Sequence, residues 1–310
     1  MLGWECERAG IAFTIFDPGH ATAASGVAAG LVNPITGRRL VKSWRIDTLL
    51  PDARDTYRAL EAAWGVRLWT DLRVRRFFAD ERERCAFAEK HARGELGPWV
   101  TNADADGFWI EGAGRVDLPV LLAAARERWR SEGRLREETF DWAKRDAGGL
   151  AIDCSGVTGA LRGGFDFVPW EFAKGETLEL AVDGLPADVV WHRRQWVVPT
   201  GPGTALAGAT HEPGVTDARL TTEARATLDA RTRELLHRPF AVRGQRAGVR
   251  VTLPDKRPVV GRHPGLPGRG VMNGLGAKGV LLAPMLARQW TAHLTAGTPF
   301  DSEVDVSRFW

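Results

Sequence analysis

The chain has 310 residues, 44% of them hydrophobic and 26% charged. That length predicts about two domains, and the composition excludes a disordered, collagenous or coiled-coil protein. The formal charge of +3 is small and spread along the chain, so charge alone gives no reason to expect nucleic-acid binding.

In chain order, Leu2 to Gly10 reads as the tail of a helix closed by a C′ glycine. Ile11–Phe16 follows as an apolar strand ending at Asp17. Leu49, Ala53, Tyr57, Leu60 and Trp64 recur at helical spacing. So do Leu118, Leu122, Ala125 and Trp129, with Asp117 as N-cap and Pro119 in the first turn. Strand-like runs are Leu150–Asp153, Thr177–Val182, Val189–His192, Gln195–Val198 and Ala205–Thr210. A third helix, opened by Thr221 and Thr222, carries Ala224, Leu228 and Leu235 on one face. The strand Val249–Leu253 and a helix from Val280 to about Leu294 complete the pattern. Strands alternate with helices at both ends, whereas residues 168–211 are strands alone. The expected fold is α/β, a parallel layer joined to a second, largely antiparallel sheet.

Cys6, Cys85 and Cys154 are far apart and form no C-x-x-C, which argues against a disulfide framework or a cysteine-based metal site. The N-terminus lacks the apolar core of a signal peptide. The apolar run at residues 280–287 is too short to span a bilayer. A cytoplasmic protein without a membrane partner is expected.

Asp17 holds the position from which an acid accepts hydrogen bonds from the adenosine ribose in a dinucleotide-binding unit. The glycine-rich turn of such a unit lies roughly 20 residues before the acid, and counting back from Asp17 passes Met1. The chain is therefore expected to begin inside the unit's first helix. A missing central strand removes four or five buried aliphatic side chains at roughly 1.5–3 kcal/mol each, so weak dinucleotide binding or poor folding is expected.

The next residues are Ala24-Ser25-Gly26-Val27-Ala28-Ala29-Gly30, followed by Leu31 to Pro34. With the helix, glycine, strand and Asp17 before them, they resemble the D-amino-acid oxidase superfamily of FAD-dependent oxidoreductases, which includes glycine and sarcosine oxidases. The A-S-G-x-x-A-G pattern is similar to the FAD domain of bifunctional tRNA wobble-uridine modifying enzymes. Further segments follow the family's order: Gly114-Arg115-Val116-Asp117, Asp153-Cys154-Ser155-Gly156, Lys174-Gly175-Glu176, Gly208-Ala209-Thr210-His211-Glu212, and Gly248 through Asp255 with Pro258 and Gly261. The resemblance implies that Ala24, Ser25, Gly26, Ala29 and Gly30 run beside the flavin, that Ser155 and Gly156 lie near the FAD phosphates, and that Gly248 belongs to the same site.

Gly274-Leu275-Gly276-Ala277-Lys278-Gly279 is literally G-x-G-x-x-G. No second strand with an acid follows it, so it is not a dinucleotide fingerprint. In the family such a loop, preceding the last helix, lies at the pyrimidine edge of the flavin. The helix N-terminus there favours negative charge, and Lys278 adds a full positive charge. Arg250 and Thr252 alternate with Val249, Val251 and Leu253, so they face the other way. Arg250 on a cavity-lining face is a candidate to hold a substrate carboxylate by a bidentate pair. His211, Trp44, Trp170 and Trp196 are weaker candidates for the same cavity.

The resemblance implies hydride transfer from a small amine or amino acid to flavin N5, with oxygen or another acceptor reoxidising the cofactor. No cysteine follows Cys154, so FAD is expected to bind non-covalently. Residues 1–45, 112–165 and 246–310 are expected to form the FAD domain, and 46–111 with 166–245 the substrate domain. Flavin-dependent tRNA modification, with tRNA as partner, and a non-catalytic remnant with weak FAD binding are the alternatives.

Overall fold

The computed structural model describes residues 1–19, 23–144 and 149–310. Helix α1 (Leu2–Arg8) ends before Gly10, whose φ of 68° turns the chain toward β1 (Ile15–Phe16). Short pieces follow: α2 (Ala24–Val27), β2 (Leu31–Val32), and the hairpin of β3 (Ile35–Thr36) and β4 (Val41–Lys42). Helix α3 (Ile46–Trp64) buries Leu49, Ala53, Tyr57 and Leu60, at the spacing read from sequence. Next come β5 (Trp69–Phe77), α4 (Glu81–Ala92), β6 (Val100–Thr101) and β7 (Gly107–Val116). The Asp117 side chain caps α5 (Leu118–Ser131) by accepting from the Val120 N–H.

Beyond α5 lie β8 (Leu135–Arg136), β9 (Ala151–Asp153), α6 (Val157–Arg162), β10 (Glu171–Ala181), β11 (Val189–Arg193), β12 (Gln195–Gly201), β13 (Thr204–Gly208) and β14 (Glu212–Pro213). Thr221 caps α7 (Thr222–Leu236), and β15 (Ala241–Thr252), β16 (Val259–His263), β17 (Leu266–Asn273) and α8 (Gly279–Ala296) complete the order.

The fold is mixed α/β around a curled ten-stranded sheet. Its path runs β14-β10-β13-β12-β11-β5-β7-β2, with β15 on β10 and β6 on β7. The expected antiparallel middle is present as β10 to β13. It is larger than the sequence indicated, because β5, β7 and β15 belong to it. One face of β10, β12 and β13 packs on Leu228, Leu235 and Leu236 of α7. In a separate cluster α3, α5 and α8 share a core with Leu68 and Trp69.

The parallel strands do not form one layer among the described residues. β1 pairs with β8, and β9 pairs with β17 in a three-stranded sheet with β16. This explains why β1 is shorter than the predicted Ile11–Phe16: its partner offers only Leu135 and Arg136. The expected cut at 245/246 falls inside β15. The cut at 111/112 likewise falls inside β7.

Candidate active site

Alternate residues of a strand share a face. On β15 Val249 and Val251 are buried in the sheet's packing, which leaves Gly248, Arg250 and Thr252 on the opposite face. A Cβ on Gly248 would lie 3.1 Å from Cα of Ala24 and 3.3 Å from Cγ2 of Val27, so α2 rests on the strand there. At the other end the Gly276 N–H donates to the Val251 carbonyl at 2.8 Å. A Cβ on Gly276 would lie 3.4 Å from Oγ1 of Thr252. At ~3.3 Å per residue, Gly248 and Thr252 are about 13 Å apart. Two glycine-containing segments from opposite ends of the polypeptide thus meet one strand face, with Arg250 between them.

Arg250 is largely buried and has no acidic partner among the described residues. Its nearest acceptor is the Thr210 carbonyl, at 3.4 and 3.5 Å. Burial without a counter-charge pulls its pKa below the usual guanidinium value. Lys278 is the residue immediately before α8, and burial, then the charge of Arg257, lower its pKa too. Arg257 stacks on Trp44, Cζ to ring centroid 4.6 Å, and Arg45 stacks on the same ring at 4.6 Å. Arg45 pairs with Asp301 and Glu303, and Arg257 with Glu303, whereas Arg250 and Lys278 have no carboxylate partner among the described residues.

The glycine segments suit close approach by a flat polar group. A Cβ on Gly26 or Gly156 would meet nothing within 4 Å. Gly156 also has φ 62° and ψ −121°, a conformation for glycine alone. The Leu275 and Ala277 N–H groups have no hydrogen-bond partner among the described residues, nor has the exposed Ser25 hydroxyl. The first-turn N–H groups of α8 lie beside Gly279. Unpaired donors beside glycines with open space above them leave room for a flat polar ligand.

Other predicted residues are engaged by the protein itself. Gly30, φ 69°, has a Val116 carbonyl oxygen 2.0 Å from where its Cβ would be, so it serves the approach of β2 to β7. The neighbouring Ala29 carbonyl accepts from Arg115 Nε at 3.1 Å. Ser155 donates its N–H and hydroxyl to Asp153, at 2.8 and 2.7 Å. Asp17 is paired with Arg126 and accepts from the Gly19 N–H at 2.9 Å. It sits at the end of β1, in the sheet separate from β15. His211 is exposed. The Trp170 indole donates to the Phe165 carbonyl at 3.1 Å, and its ring lies under Gly274. Trp196 packs beneath Gly208.

Asn273 was not singled out in the sequence. Its amide Nδ2 donates to the Gly156 carbonyl at 2.7 Å, and its Oδ1 accepts from the Gly274 N–H at 2.8 Å. It locks the turn after β9 to the glycine loop before α8. The only signal for it is its place directly ahead of Gly274. Two shallow clefts elsewhere, one between β5 and β7 and one beside Phe77 and His237, contain none of these residues.

Residues 1–294 match the family described as FAD dependent oxidoreductase (DAO). The chain belongs to this DAO family. It is 31% identical over 322 residues to the tRNA 5-methylaminomethyl-2-thiouridine biosynthesis bifunctional protein MnmC of Maricaulis maris, covering 94% of this chain and 49% of that protein. To the protein of that name from Azoarcus sp. it is 28% identical over 361 residues, 98% of this chain and 55% of the relative. The chain spans about half the length of these relatives. Among solved structures, iminodiacetate oxidase (IdaA) from Chelativorans sp. BNC1 superposes with a TM-score of 0.79 at 21% identity, over 99% of this chain and 95% of that one. Glycine oxidase from Geobacillus kaustophilus gives 0.75 at 22% identity, over 96% and 90%. The DAO-type flavoenzyme fold is thereby shared. No helix among the described residues is long and apolar enough to cross a membrane.

Proposed function

We propose that this DAO-family chain binds FAD non-covalently and oxidises a small amine or amino acid that carries a carboxylate. The observation that carries the reading is the β15 face: a guanidinium, Arg250, with no acidic partner among the described residues, between one glycine segment that leaves the Ser25 hydroxyl unpaired and another that leaves the Leu275 and Ala277 N–H groups unpaired. Bound FAD supplies a hydride acceptor at N5, with oxygen or another acceptor restoring it. The chain's own residues do the rest. Arg250 grips the substrate carboxylate by paired N–H donors, which fixes the amine-bearing carbon over the cofactor. Lys278 and the N-terminus of α8 would hold the cofactor's ring with positive charge and so favour negative charge on it. No side chain is required as a base if the amine enters neutral. Asn273 keeps the two glycine turns in register.

The test is anaerobic. FAD-loaded protein is mixed with glycine, sarcosine and iminodiacetate, and the visible flavin absorbance is followed. Bleaching by a carboxylate-bearing amine is expected, and protein that never acquires flavin absorbance overturns the proposal.

The MnmC relatives favour a second reading, in which the amine belongs to a modified tRNA uridine. That reading requires tRNA affinity that falls steeply with salt. Absence of such affinity dismisses it while leaving small-amine oxidation intact. A cytoplasmic location suits either reading.

A further inference from the structure

We propose that Gly175 is the positioning residue for Arg250: its missing side chain sets where the guanidinium lies, and so how tightly the site holds a carboxylate. This rests on the reading that Arg250 binds that carboxylate. In the β10–β15 register Gly175 faces Gly248 and Ala173 faces Arg250, so Gly175 is the diagonal neighbour of Arg250. A Cβ on Gly175 would lie 2.2 Å from Nη2, 2.7 Å from Cζ and 2.8 Å from Nη1 of Arg250. The guanidinium therefore rests directly on the Gly175 backbone.

Nothing else fixes it firmly. Its only acceptor among the described residues is the Thr210 carbonyl, at the long edge of hydrogen bonding. Its neighbours on the two strands are held differently: Arg246 pairs with Glu179, and Lys174 with Glu176 and Glu212. Arg250 is oriented by contact instead of by an acid, so its N–H donors stay available to a ligand.

The glycine is not there for its backbone. Gly175 is absent from the positive-φ residues and sits mid-strand, where alanine is conformationally acceptable. The atoms a methyl group would meet belong to the far end of a flexible side chain. Gly175→Ala therefore leaves the fold intact and lifts the guanidinium off the sheet. A displacement near 1 Å at a substrate anchor costs on the order of 10- to 100-fold.

The experiment titrates glycolate into the FAD-loaded wild type, G175A and R250M by calorimetry, with melting midpoints for all three and a crystal structure of G175A. Glycolate presents the carboxylate without an oxidisable amine, so binding is read apart from turnover. Expected are a melting midpoint of G175A matching wild type, at least tenfold weaker glycolate binding, a larger loss in R250M, and a displaced Arg250 head on an unchanged Cα trace. Glycolate affinity of G175A within twofold of wild type, with R250M impaired, overturns the role of Gly175 and leaves the Arg250 reading standing. Wild-type protein that does not bind glycolate, or R250M that binds it normally, overturns both. Weaker binding in G175A that comes with a lowered midpoint and an undisplaced guanidinium assigns the glycine to packing, and the proposal fails.

Discussion

His192 is a titratable group that the fold keeps neutral. It lies opposite Arg76 in the β5–β11 register, and its Nδ1 is sealed from solvent without a partner among the described residues. Burial first, and the Arg76 charge second, push its pKa down to about 3. In the unfolded chain the ring takes a proton near pH ~6.5, whereas in the folded chain it does so only near pH 3. The unfolded state therefore binds more protons in that window, and stability is lost as pH falls from about 6.5 toward 3. Replacing His192 with Gln should flatten the decline of the melting midpoint between pH 7 and 5, and an unchanged slope would show that the ring titrates freely. Arg76 itself is 2% exposed and donates to Glu83, 6% exposed, through Nε at 2.8 Å. Arg76→Met strands that carboxylate inside the core and should cost about 3–5 kcal/mol in urea unfolding.

At the scale of elements, what could be read from sequence was local. The four helices found by spacing are all present, and Asp117 and Thr221 cap the two they were expected to open. Strand β5 is hard to read from sequence because four of its nine residues, Asp71, Arg73, Arg75 and Arg76, are charged. Each of the three arginines has its acid outside the strand: Asp188 for Arg73, Asp104 for Arg75, Glu83 for Arg76. The same division holds in the site. The glycine runs at 24–30 and 274–279 were legible as sequence, but the parts played by Gly175 and Asn273 depend on strand register and on a turn 117 residues away. Nor are the glycines equivalent. Gly30→Ala drives a methyl group into the Val116 backbone at positive φ and should cost about 2–4 kcal/mol. Gly26→Ala meets nothing within 4 Å and should leave stability within about 0.5 kcal/mol while weakening FAD. Urea unfolding beside flavin titration separates the two, and equal loss of stability in both would contradict the packing described.

Across the whole molecule, cohesion is uneven. The ten-stranded sheet is continuous, whereas among the described residues β1 and β8 form a two-residue pair on their own and β9 is held by β17 alone. A two-stranded pair is marginal in water, so amide exchange should be fastest around Ile15 and Leu135 and slowest in β10, where neighbours lie on both sides. A ligand that spans the β15 face changes this pattern in a particular way. It touches a segment near the start of the chain and another near its end, so both must gain protection together. Excess FAD should slow exchange at residues 24–30 and at 274–279 with the same concentration dependence. It should also raise the melting midpoint as mass action requires, with little change in α4, which lies away from that face. Protection of one segment without the other would mean that the two glycine runs do not share a ligand, and the assignment of Arg250 and Lys278 to one site would fall with it.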